Sequence, residues 1–227
     1  MKVLHSILAI SLALPVDSSF AQSETGTRVG ARPAQVPETG TNTDRARIWL
    51  EGYAACVVKR DPKRVAEALD AEITRDVAIG NLVQGNFDAC LSSGGGADQL
   101  AMSPQVMRGA LYADRVTSMV QSLTPEMLPP EPLSLPLPAT FDTAAQSRIA
   151  TVRFGECVMR KNPQGALAFV AAEAAKGGET NALNRLTPFL GECVDAGVQV
   201  ELSRSGLEAA LAEAIYRTVR AKREAAK

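Results

Sequence analysis

Two stretches of this chain, 101 positions apart, repeat one another, and the repetition constrains the fold more than any other feature. Ile48 pairs with Ile149, Tyr53 with Phe154, Cys56 with Cys157 and Val57 with Val158. Lys59-Arg60 then pairs with Arg160-Lys161, Pro62 with Pro163, and Ala71-Glu72 with Ala172-Glu173. Further on, Cys90 aligns with Cys193 at an offset of 103, and Ser103–Leu111 with Ser203–Leu211 at an offset of 100. Drift of this size marks short insertions, which surface loops tolerate. The expected architecture is a unit of about four helices present twice, as repeat 1 over 44–122 and repeat 2 over 141–227.

The helical reading rests on periodicity and punctuation. Ile48, Trp49, Tyr53, Cys56 and Val57 recur at helical spacing behind Asp44, a candidate cap. Asp61-Pro62 and Asn162-Pro163 read as cap-then-proline starts of a second helix, because proline in the first turn lacks a donor that would have no partner there anyway. Val83, Phe87 and Cys90 match Leu186, Leu190 and Cys193 on a third helix, and Ser103-Pro104 and Ser203 open a fourth. No run alternates with period two long enough to require a sheet, so the fold class is all-α. Between the repeats, Pro125 to Pro138 holds six of the 13 prolines. The segment 123–140 is expected to run as extended polyproline, a linker or strap. Residues 22–43, rich in Thr, Gly, Pro and Glu, bury little and are expected to be a disordered linker.

The first 21 residues have the pattern of a secretory signal peptide. Lys2 precedes an apolar stretch from Val3 to Val16, and Ser19-Phe20-Ala21 places small residues at −3 and −1 of a cleavage site. The apolar run is shorter than the ~20 residues that span hydrocarbon, and no later segment is long and apolar enough, so no transmembrane segment is expected. The expected location is periplasmic or secreted. Cleavage would remove His5, the only histidine. Without an imidazole, Ser-His-Asp and Cys-His catalysis and His-ligated metals are closed to the mature chain.

Export also decides how the four cysteines are read. Four cysteines allow three pairings. Duplication selects Cys56–Cys90 and Cys157–Cys193, because each unit must have folded alone before it was copied. The spacing is far too long for a Cys-x-x-Cys redox site, and structural zinc requires close ligand pairs. Bridges of this loop length stabilise by roughly 3–4 kcal/mol, enough to decide whether a ~75-residue unit with an alanine-rich core folds.

The block Gly155-Glu-Cys-Val-Met-Arg-Lys-Asn-Pro163, with Gly191-Glu-Cys193 before a Ser-initiated Ala/Leu-rich helix, resembles exported proteins of sphingomonad-type alphaproteobacteria that carry this unit in duplicate. The likeness covers residues 45–120 and 148–220. Repeat 1 departs from it at Ala54-Ala55 before Cys56 and at Ala89 before Cys90. No activity is attached to that group, so the resemblance implies fold and compartment only.

Chemistry is sparse. Ser92-Ser93-Gly94-Gly95-Gly96 has the makings of an anion nest, but no phosphate-loop Lys-Ser/Thr follows, and repeat 2 has only Asp195-Ala-Gly197 there. A carboxylate-dependent hydrolase of glycosidase or transglycosylase type needs only paired acids. The candidates Glu51, Glu156 and Glu192 match Val152, Ala55 and Ala89 in the other repeat, and are read as surface groups. Lys59-Arg60 and Arg160-Lys161 suit helix C-termini. Arg217, Arg220, Lys222, Arg223 and Lys227 against Glu224 form a basic C-terminal helix end, compatible with weak contact to an anionic surface. A net charge of −1 argues against nucleic acid, and 4% aromatics against sugar-stacking platforms. No catalytic residue, cofactor or metal is assigned. The expectation is a non-enzymatic envelope protein that contacts another envelope protein or a small apolar ligand, with the hydrolase as the alternative.

Overall fold

Polar side chains at helix starts set the local frame of the structure, a computed structural model that describes residues 28–29, 42–71, 77–91, 100–101, 103–128, 143–172, 177–194 and 202–225. Among these, eight α-helices form: α1 Asn42–Arg60, α2 Pro62–Asp70, α3 Val77–Leu91, α4 Pro104–Met119, α5 Thr143–Lys161, α6 Pro163–Val170, α7 Gly177–Leu190 and α8 Arg204–Ala225. The Ser103 hydroxyl accepts from the Val106 N–H at 3.3 Å, that of Ser203 from Gly206 at 3.1 Å, and the Asn162 amide oxygen from Gly165 at 2.8 Å. These bonds satisfy first-turn donors that have no partner within the helix.

Two expected caps differ. Helix α1 begins at Asn42, which places Asp44 inside the first turn, where its charge suits the helix dipole. Asp61 precedes α2 but makes no capping bond, because its carboxylate accepts from Arg64 at 3.1 Å instead. The third helix of the second half also ends differently. Helix α7 stops at Leu190, and a 3-10 turn, Gly191–Cys193, carries the cysteine.

The disulfides are Cys56–Cys90 and Cys157–Cys193, each with Cα atoms 5.7 Å apart, and no described cysteine is free. One ties α1 to α3; the other ties α5 to the turn that ends α7. Replacing Cys157 and Cys193 together by Ala is expected to lower the unfolding free energy by about 2–4 kcal/mol, read from urea denaturation. A loss under ~1 kcal/mol would mean that α7 is held without its bridge.

A single main apolar core crosses the proline segment. Trp49, Tyr53 and Val57 of α1, Leu69 of α2 and Leu111 of α4 belong to the same buried cluster as Phe154, Val158, Phe169, Leu186, Leu211 and Ile215. Trp49 and Tyr53 stack one helical turn apart, ring centroids 5.2 Å apart. Helix α8 lies at the centre, flanked by α4 and α5, while α1 packs on α4 and α6 on α7. Glycine lets α8 approach so closely. A Cβ on Gly109 of α4 would stand 2.4 Å from the Ala209 Cβ, and one on Gly155 of α5 would stand 2.2 Å from the Ala210 carbonyl oxygen.

Two segments expected to be linkers carry local structure. Arg28–Val29 (β1) pairs antiparallel with Leu100–Ala101 (β2), two residues each, the exception to an all-helical fold among the described residues. Backbone hydrogen bonds need no apolar side chains, which is why composition missed this ladder. Leu123 and Leu128 are buried, and Pro125–Met127 forms a 3-10 turn. The start of the proline segment is docked on the core, where two leucines bury, and turns in a 3-10 helix there rather than running extended. The expected signal peptide 1–21, the remainder of 22–41 and the segment 129–142 lie outside the described residues.

Candidate functional site

Helix α8 carries two glutamates on faces that would ordinarily be apolar, and each anchors a cluster of polar groups drawn from both sides of the proline segment. Glu208 accepts from Arg47 of α1 at 3.2 Å. The same Arg47 nitrogen lies 2.7 Å from Glu179 of α7, whose side chain is 1% exposed, and Arg204 stands 3.5 Å from the other Glu179 oxygen. Burial pushes the Glu208 carboxyl up to about 7, and neighbouring Glu51 pushes the same way, outweighing the pull of Arg47. Burial works against the charge on Arg47, but Glu179 and Glu208 outweigh it and hold its pKa above the ordinary value.

Glu213, 1% exposed, anchors the second cluster. It pairs with Arg148 of α5 and accepts from Arg217, one turn along α8, at 2.9 Å. Arg217 also donates to the Tyr112 hydroxyl at 3.1 Å, and that hydroxyl donates to the Leu69 carbonyl at 2.7 Å. Burial raises the pKa of Tyr112 above the usual phenol range, so the group stays a neutral donor. Tyr216 bonds Asp70 at 3.4 Å and Arg220 pairs with the same carboxylate. The chain Glu213–Arg217–Tyr112–Leu69 thus links α8 and α4 to the end of α2. Among the described residues, no group of three His, Cys, Asp or Glu is placed to hold a metal, and no helix is long and apolar enough to cross a membrane.

The acids singled out by sequence are scattered. Glu51 is half-buried and faces Glu208. Glu192 is exposed, with Lys161 at 2.6 Å. Glu156 corrects the surface reading, being only 5% exposed, because α6, α7 and α8 pack around α5. Lys59, Arg60 and Arg160 are exposed at helix C-termini. The basic C-terminal end is also corrected. Arg217 turns inward to Glu213, and Arg220 pairs with Asp70 of α2 and with Glu224 while its side chain stays 40% exposed; Lys222 and Arg223 are exposed, and Lys227, Ser92–Gly96 and Asp195–Gly197 lie outside the described residues.

Sequence reasoning missed Arg47, Arg148, Glu179, Glu208 and Glu213. One signal was present: Arg47 and Arg148 match one residue before the repeat begins, at the same offset of 101. A glutamate amid Leu211, Ala212, Ala214 and Ile215 was a second.

These features define a disulfide-bridged helical protein whose buried ion pairs join distant helices. Comparison with protein-family models, curated proteins and solved structures returns no match.

Proposed function

We propose that the chain is an exported, non-enzymatic helical protein of the cell envelope, acting by contact with another envelope protein or a small apolar ligand. One observation carries this reading: the buried carboxylates that acid–base chemistry would use are engaged in holding helices together. Glu179 and Glu208 share Arg47, and Glu213 takes both Arg148 and Arg217. The two disulfides support an oxidising compartment, with residues 1–21 as the removed signal.

The proposal includes a duplicated unit. Its support is that α1 packs on α4 as α5 packs on α8, and α2 on α3 as α6 on α7. The matched Arg47 and Arg148 each reach a glutamate of α8, and Gly109 abuts Ala209, its own counterpart at an offset of 100.

The test is a pull-down from envelope extract with the mature protein, followed by mass spectrometry of bound proteins and lipids. A specific, saturable partner supports the reading, and recovery of nothing specific counts against it. N-terminal sequencing of the exported product is expected to begin at Gln22. A second reading, a carboxylate-dependent envelope hydrolase, draws on Glu208, a carboxyl pushed up to about 7 beside Glu51. Release of soluble fragments from isolated envelope polysaccharide by the wild type but not by Glu208→Gln would favour it.

A further inference from the structure

Five charged groups meet where α1, α7 and α8 converge: Arg47 and Glu51 from α1, Glu179 from α7, and Arg204 and Glu208 from α8. Helices α4 and α5 also pack on α8, but their arginines Arg108 and Arg148 act on Tyr112, and Arg148 pairs with Glu213 further along. Three carboxyls therefore face two guanidinium groups in a site where Arg47 is 5% and Glu179 1% exposed.

We propose that this convergence is an acid-tightened latch: protonated Glu208 locks the start of α1 against α7 and α8, and ionised Glu208 loosens it. With Glu208 neutral, no charge is added beside Glu51 and Glu179. With Glu208 ionised, a further negative charge is held beside these like charges, where low polarity makes repulsion costly. Arg47 is the moving part, since one of its nitrogens ties α1 to both Glu179 of α7 and Glu208 of α8. The sign follows from burial. The carboxyl lies at about 7 when α1 is docked and returns toward its ordinary value of 4.5 when α1 lifts and water reaches it. The docked state thus binds the extra proton, and docking weakens as pH rises through about 7. Between pH 6 and pH 8 the docking equilibrium is expected to fall about tenfold. An exported protein meets the external pH, so the range is one it would experience. The latch does not depend on what the protein binds.

Amide hydrogen exchange of the full chain at pH 6 and pH 8, corrected for the intrinsic pH dependence of exchange, tests this directly. Peptides spanning 42–52 are expected to lose about tenfold in protection at pH 8, while those of α2 are unchanged. Glu208→Gln, which keeps the shape and stays neutral, is expected to hold the pH 6 protection at both values. Glu51→Gln, which removes the repelling neighbour, lets Glu208 ionise more easily and is expected to move the midpoint to lower pH; an unmoved or raised midpoint counts against the proposal. Equal protection of 42–52 at both pH values in the wild type, or an unchanged pH dependence in Glu208→Gln, overturns the proposal.

Discussion

Glu213→Gln is expected to lower the unfolding free energy by about 3–5 kcal/mol, the usual cost of removing one partner from a buried ion pair. Glu213 is 1% exposed and is the shared acceptor of Arg148 and Arg217. Its amide would leave two guanidinium groups, 14% and 15% exposed, without their counter-charge. Arg217 also positions the Tyr112 hydroxyl that bonds Leu69, so the loss spreads to the contact between α4 and α2. Urea denaturation measures the effect. The double variant Glu213→Leu with Arg148→Met is expected to recover part of the loss, because apolar groups of similar volume often replace a buried pair at little cost. A single-variant loss below ~1 kcal/mol would show that water reaches the arginines and that the cluster is not a buried one.

Gly155→Ala is the second large effect. The new methyl would stand 2.2 Å from the Ala210 carbonyl oxygen and 2.5 Å from its carbon, both backbone atoms of α8 that no rotamer change can move aside. Helices α5 and α8 must separate, at an expected net cost of about 2–3 kcal/mol, even after the roughly 1 kcal/mol by which alanine favours helix over glycine. Gly52→Ala is the control. Nothing lies within 4 Å of its Cβ position, so only the propensity gain remains and stability should rise by about 0.5–1 kcal/mol. Urea denaturation of the two variants side by side separates a packing requirement from a helix-forming one. Equal changes in both would mean that the close approach of α5 to α8 can relax freely.

The local pattern was legible because its causes are local. Ser103, Ser203 and Asn162 cap the helices they were expected to open, since a side-chain oxygen three residues before a free N–H needs no tertiary help. Asp61 shows the limit of that logic: a carboxylate offered both a backbone N–H and Arg64 takes the charge. Both disulfides join the cysteines that the repeat paired. The charge clusters were not legible in the same way. Glu156 and Arg217 each look like a surface residue of a helix, and only the position of a neighbouring helix turns them inward.

The order of residues along the chain determined which segments coil, where several of those coils begin and which sulfurs meet, because periodicity, capping and cross-linking act over a few turns or through a covalent bond. Tertiary packing decided the rest. Only the closeness of α8 to α4 and α5, permitted by Gly109 and Gly155, brings Arg47 and Arg148 onto glutamates more than 60 positions away. A charge acquires its partner and its proton affinity from the three-dimensional surroundings that exclude water around it, and those surroundings exist only once distant helices have met.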